Sequence, residues 1–325
     1  MKRSLIHELK AISDETRIRI LHILSFASFS VNEITEILSM GQSRVSRHLK
    51  IMNDAGILES IREGTWVYYK INENVPENNF IKDLSSLILS HKEEIPKREI
   101  DEKNTERLLK KREDRKTGYF NKIGKDLDRV QSKVLNPKIY REKILSFLPS
   151  KNRMIIDLGC GPGGLFPYLL KKSDRVTGID SSVKMVDDAN SIFGENKNIK
   201  VIHSYLEKLP ISSNFSDAVV ASMVLHHVSN PKFIMDEANR ILKTGGVFCI
   251  IDLKKHNSEF MRDSFADLWL GFEENLLSEW LKISGFDIKK IEEIPTQSEF
   301  KILAIKAIKK GGRNVHSNKR TNTKV

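Results

Sequence analysis

Met154-Ile155-Ile156-Asp157-Leu158-Gly159-Cys160-Gly161-Pro162-Gly163-Gly164 reads as a strand, a glycine-rich turn and the start of a helix. Glycine permits tight turning and lets a backbone approach a ligand closely. About twenty residues on, RVTGID (residues 175–180) ends a second strand on Asp180, and a carboxylate at a strand tip can accept both hydroxyls of a ribose. Nicotinamide-dinucleotide folds have the same pair, so these two motifs alone leave the ligand open. Over residues 140–309, apolar strand-like runs alternate with amphipathic helices, the pattern of an α/β domain with a mostly parallel sheet.

The segments that follow narrow the reading. LEKLPISSNFSDAVVASMVLHHVSNP (206–231) and EANRILKTGGVFCIIDL (237–253) resemble the later motifs of class I S-adenosylmethionine-dependent methyltransferases, and among them the ubiquinone/menaquinone branch. The resemblance spans residues 118–309. It implies a Rossmann-like seven-stranded sheet, with SDAVVASM as fourth strand, GGVFCIIDL as fifth, and FDIKKIEEI and FKILAIKAI closing it antiparallel. It also implies that Asp157 and the Gly159, Gly161, Gly163 loop surround the methionine moiety and that Asp180 holds the ribose. Met185 would pack near the adenine, and Ser222 and Met223 would lie near the sulfonium. The family's usual acidic adenine contact is replaced here by Tyr205, which can hydrogen-bond or stack, while Leu206 still offers its backbone N–H.

Methyl transfer from a sulfonium asks mainly for in-line placement and exclusion of water. A general base is needed only where the acceptor must lose a proton. His226 and His227 are weak catalytic candidates, with a purely structural histidine pair the favoured alternative. In FMRDSFADLWLGF (260–272), Phe260, Trp269 and Phe272 are either a substrate-covering lid or plain core.

Towards the N-terminus the texture changes. Asp14 is a plausible N-cap for ETRIRILHILSF, and a second helix, VNEITEILS, follows Ser30. After Gly41, QSRVSRHLKIMNDAG places Val45, Leu49 and Met52 on one face, and Ile57–Ile71 reads as two strands joined by a turn at Glu63-Gly64. Helix, turn, helix and hairpin make a winged helix-turn-helix. With Val45, Leu49 and Met52 inward, Gln42, Ser43, Arg44, Ser46, Arg47, His48 and Lys50 are left outward or sideways, where they can reach base edges and phosphates. Arg62 and Thr65 on the wing are further DNA candidates. The patterns D-x-TR-x-x-IL, S-x-VS-x-HL-x-x-M and an R-x-G wing running into Y-x-I resemble ArsR-type repressors over about 70 residues. That resemblance implies a homodimer on a double-stranded palindromic operator. Phe80, Leu84, Leu87 and Ile88 are candidates for its seam, with packing inside one chain the alternative.

Many such repressors sense metals. Here the helix 31–38 has no cysteine for a thiolate site, and His91 stands alone among residues 80–95. No metal is therefore expected.

Composition sets outer bounds. The 325 residues carry a net charge of +11, yet residues 1–98 hold 14 Lys/Arg against 13 Asp/Glu, and eight of the remaining cations lie in residues 301–325. DNA binding is thus argued from placement, and a tail driving nonspecific nucleic-acid binding is a weaker reading. Two cysteines, Cys160 and Cys249, make no disulfide framework, and no apolar run spans a bilayer, so a cytoplasmic, non-membrane protein is expected. The expected domains are a winged helix-turn-helix over 1–95, a charged helical linker over 96–117, a methyltransferase-like domain over 118–309 and a basic disordered tail over 310–325. The linker is read as solvated because 15 of residues 97–116 are charged. Fusions in this order resemble repressors that respond to S-adenosylhomocysteine. The expected function is an ArsR-type regulator whose C-terminal domain senses S-adenosylmethionine or S-adenosylhomocysteine; the alternative is an active methyltransferase of an unnamed small acceptor, dimerised or autoregulated by its N-terminal module.

Overall fold

A computed structural model describes residues 5–63, 66–72, 80–132 and 134–311. The chain sorts into two units. The first runs to Lys122 and takes in His226–Asn230 and Lys255–Leu270; the second holds Ile123–Leu225, Pro231–Lys254 and Gly271 onward.

In the first unit, α1 (Leu5–Ile12) precedes α2 (Glu15–Leu24), which starts where the Asp14 carboxylate accepts the Arg17 N–H at 3.2 Å. A two-residue strand β1 (Phe29–Ser30) leads into α3 (Val31–Leu38). There Ser30 and Glu33 cap each other's backbone N–H groups, satisfying two donors that the helix itself leaves orphaned. Helix α4 (Gln42–Asp54) buries Val45, Leu49 and Met52. Strands β2 (Leu58–Glu63) and β3 (Trp66–Ile71) form the expected hairpin, whose turn residues 64–65, including Thr65, lie outside the described residues. The wing has a third strand that the sequence reading lacked, because β1 pairs with β3 through Phe29–Tyr69 and Ser30–Tyr68. Two residues are too few to show a strand period.

Helices α5 (Phe80–Ser90) and α6 (Arg98–Ile123) follow. The stretch expected as a solvated linker is instead a docked helix. Asp101, Thr105 and Leu108 are buried at helical spacing, and Asp101 takes Arg19 of α2 bidentately, Nε to Oδ2 at 2.7 Å and Nη2 to Oδ1 at 2.8 Å. Asn104 donates to the Ile37 carbonyl, and Arg112 pairs with Glu33 and donates to the Ser28 carbonyl. The helix belongs to the first unit as far as Lys122, past the expected boundaries at 95 and 117. Of the proposed dimer-seam residues, Leu84 and Ile88 pack partly on the core of this unit, while Leu87 is exposed.

The second unit holds α7 (Leu127–Gln131), α8 (Pro137–Phe147), β4 (Asn152–Leu158), α9 (Phe166–Leu169), β5 (Ser173–Asp180), α10 (Val183–Phe193), β6 (Ile199–His203), β7 (Ser216–Ser222), α11 (Pro231–Ile241) and β8 (Leu242–Leu253). Helix α12 (Phe260–Phe265) falls in the first unit; α13 (Glu274–Ile283), β9 (Phe286–Pro295) and β10 (Lys301–Lys309) complete the second. Its seven-stranded sheet has the order β6-β5-β4-β7-β8-β10-β9, parallel except that β10 runs antiparallel to both neighbours. Strands buried on both faces explain the near-continuous apolar runs of β4, β7 and β8. Chain order reverses direction beside β4, which is where such sheets open a crevice at the carboxyl ends of their strands.

Candidate functional site

The carboxyl ends of β4 and β5 bring together the residues that the glycine motif singled out. Gly159, Gly161 and Gly163 all take positive φ, at 67°, 52° and 84°. A Cβ at Gly159 would come within 2.3 Å of Val224, and one at Gly163 within 2.7 Å of Phe166, so neither position admits a side chain. The loop is pinned by Gly159 and Cys160 N–H groups donating to the Ile179 carbonyl at 2.8 and 3.1 Å. Asp180, at the tip of β5, accepts the Gly161 N–H and the Ser182 N–H at 2.9 Å each. A carboxylate offers about four acceptor positions, the capacity on which ribose hydroxyls would draw.

Asp157, at the end of β4, is 2% exposed. Burial, reinforced by the nearby Asp180 charge and only partly opposed by Arg141, pushes its carboxyl up to about 8. Two neighbouring carboxyls, one of them dry, form an acceptor set suited to a cationic, hydroxyl-bearing ligand. S-adenosylmethionine, with its sulfonium, ammonium and ribose, fits that chemistry. Arg141, held by Asp128 through bonds of 2.9 and 2.5 Å, was not singled out from sequence.

The other predicted residues divide. Met185 and Leu206 are buried, whereas Tyr205 is 60% exposed. Ser222 closes β7, and Met223 beyond it takes φ 54°. Phe272 is fully buried against Trp280, an ordinary core ring of the second unit. In the first unit Trp269 is buried with Nε1 donating to the Val228 carbonyl at 2.9 Å, while Phe260 is exposed. Of the two readings left open for this aromatic set, lid or plain core, the burial of Trp269 and Phe272 favours core.

His226 and His227 lie in a 3₁₀ turn, Leu225–His227, and both are buried in the first unit. Burial drives the His227 imidazole well below its ordinary range, with the His226 and Lys116 charges in the same sense. Asp267, forty residues on, stands 3.7 Å from a ring nitrogen of each; sequence reasoning did not connect it to them.

On α4, Gln42, Ser43, Arg44, Ser46, Arg47 and Lys50 are exposed, as is Arg62 on β2. No side chain caps the α4 N-terminus at Gly41, and such an end attracts phosphate. His48 departs from the set: it is half-buried, 3.6 Å from Asp14. Burial lowers its pKa against the raising influence of Asp14, and Arg17, Arg44 and Arg47 lower it further.

Among the described residues no helix is long and apolar enough to cross a membrane. Residues 14–60 match the family described as bacterial regulatory protein, arsR family, and residues 156–250 match the family described as methyltransferase domain. Demethylmenaquinone methyltransferase of Staphylococcus aureus (strain MRSA252) is 25% identical over 197 residues, covering 55% of this chain and 81% of that protein. Among solved structures, a chain of the complex between the Haloferax volcanii Trm112 methyltransferase activator and a methyltransferase aligns with TM-score 0.51 at 17% identity. It covers 59% of this chain and 98% of its own. A SAM-dependent methyltransferase from Aquifex aeolicus aligns with TM-score 0.47 at 23% identity, over 59% and 97% of the two chains. The chain thus joins a segment that matches the arsR regulatory family to a domain with the fold of S-adenosylmethionine-dependent methyltransferases.

Proposed function

We propose that the protein is a homodimeric, DNA-binding transcriptional regulator whose second unit binds S-adenosylmethionine or S-adenosylhomocysteine and uses occupancy to set operator affinity. The observation that carries this reading is α6. It is clamped to the helix-turn-helix through the buried Arg19–Asp101 pair and runs unbroken to Ile123, the first residue of the second unit. A ligand-dependent change in the second unit would act on α4 through this helix. Exposed apolar side chains on α1 (Leu5, Ile6, Leu9) and Leu87 on α5 support pairing of two copies. On DNA, Arg44 and Arg47 would face bases, and Gln42, Ser43, Ser46, Lys50 and Arg62 would face bases or phosphates.

In the second unit, Asp180 would orient the ribose, and the glycine loop would lie against the methionine portion. Asp157 would take the ammonium group, losing its proton as it does so. S-adenosylmethionine would supply an already activated methyl group, so the same crevice also supports a second reading, an active methyltransferase. The 197-residue similarity to demethylmenaquinone methyltransferase favours that reading. The exposed Tyr205, where the family resemblance implies an acid, and the buried His226 and His227 favour sensing. Calorimetric titration of the full chain with each adenosyl compound tests the shared premise. Asp180→Ala should abolish the heat of binding, and undiminished binding by that variant would remove Asp180 from the site. Methyl turnover with operator affinity unchanged by either compound would replace the sensor with the enzyme.

A further inference from the structure

The sequence reading looked for metal ligands only within helices of the N-terminal segment. Folding brings three together from elsewhere. His226 and His227 come from the turn after β7, and Asp267 from the loop after α12. All three are buried, and one potential ligand atom from each lies within 4.8 Å of the other two. His226 Nε2 and His227 Nδ1 each stand 3.7 Å from the same oxygen, Asp267 Oδ1, and the two rings are 4.0 Å apart between centroids.

We infer that His226, His227 and Asp267 form a binding site for a divalent transition-metal ion of the zinc class, which clips the turn at 225–227 to the loop at 266–269. Two imidazoles and one carboxylate are the ligand set that borderline divalent ions favour. With metal–ligand bonds near 2.1 Å, tetrahedral ligands lie about 3.4 Å apart. The two 3.7 Å separations to Asp267 Oδ1 need a few tenths of an ångström of closure, and the imidazole nitrogens lie within 4.8 Å of each other. The backbone holding the ligands is already tied. Leu268 and Trp269 N–H groups both donate to the His226 carbonyl, at 2.9 and 3.0 Å, and Trp269 Nε1 donates to the Val228 carbonyl. Small movement and prior order both reduce the cost of binding.

His227 Nδ1 is 3.3 Å from the Ala266 carbonyl, a long bond whose loss costs little. The Phe120 ring meets His227 edge-on at 4.9 Å and walls that side. The Lys116 charge opposes a cation here, but Lys116 is paired with Glu113 at 2.7 Å, and Asp267 supplies a compensating negative charge. Three protein ligands leave a position for water or an exogenous donor. The site is independent of the adenosyl-binding proposal.

The test uses the full chain, stripped with a chelator and titrated with Zn²⁺ against a colorimetric competitor, with zinc-edge X-ray absorption on the loaded wild type. One ion per chain is expected, ligated by two imidazoles. His227→Gln and Asp267→Asn should each weaken binding by about 100-fold or more, and a His91→Gln/His316→Gln control should not. No stoichiometric binding, a spectrum without two imidazoles, or loss in the control alone would overturn the inference. The absorption experiment needs only wild-type protein, so it decides even where a variant fails to fold.

Discussion

Removing the Asp101 side chain strands a guanidinium. Arg19 is 4% exposed, and its two short bonds both end on Asp101; a third contact, to the Leu38 carbonyl, is 3.5 Å long. Asp101→Ala therefore leaves an uncompensated buried charge, for which the expected loss is about 3–5 kcal/mol. That is roughly two to four orders of magnitude in the local opening equilibrium, since about 1.4 kcal/mol is tenfold. Hydrogen exchange read by mass spectrometry on the full chain is the assay, because two units need not unfold together. Peptides from α2 and α6 should lose protection by that factor, while peptides from β7 and β8 in the second unit should not change. The double variant Arg19→Met/Asp101→Leu should recover most of the loss, since apolar side chains of similar volume replace buried ion pairs at little cost. The exposed Lys138–Glu142 pair on α8 gives the comparison, with Glu142→Ala expected to cost under about 1 kcal/mol. An Asp101→Ala effect no larger than that would refute the claim that this pair anchors α6.

Three further outcomes follow from the geometry. The carboxyl of Asp157 is raised to about 8 in the fold against about 3.9 unfolded, so the folded state binds the extra proton between those values. Ligand-free stability should fall as pH rises from about 4 to 8, and Asp157→Asn should flatten that slope in urea unfolding. At pH 7, ligand binding to the wild type should release up to about one proton, read as buffer-dependent calorimetric heat. Arg47→Ala should weaken operator binding by about 1–3 kcal/mol in a fluorescence anisotropy titration, as for a side chain that reads a base. Gly159→Ala should abolish ligand binding while circular dichroism of the first unit's helices persists, because its Cβ would sit 2.3 Å from Val224 at φ 67°.

Local patterns were legible and distant partners were not. The glycine turn and helix α4 each declare themselves within one element, through obligatory glycine and apolar period, while the closing antiparallel strands follow from the family resemblance. Helix α6 hid because charge was read as solvation. Asp101 and Arg112 lie on its docked face because Arg19 donates to the one and Glu33 accepts from the other, each from about eighty residues away. His226 and His227 were visible as a pair, but Asp267 sits in a segment whose aromatic residues suggested a lid. The wing's third strand is two residues long, and only its pairing with Tyr68 and Tyr69 makes it a strand.

The central claim is that occupancy of the β4–β5 crevice changes how α4 meets DNA. Operator affinity, measured with and without saturating S-adenosylhomocysteine at fixed salt, tests it directly. The account predicts a shift of about 5- to 150-fold, the usual range of such coupling, and its disappearance in Asp180→Ala. Identical affinities in wild-type protein whose ligand binding has been verified would contradict it.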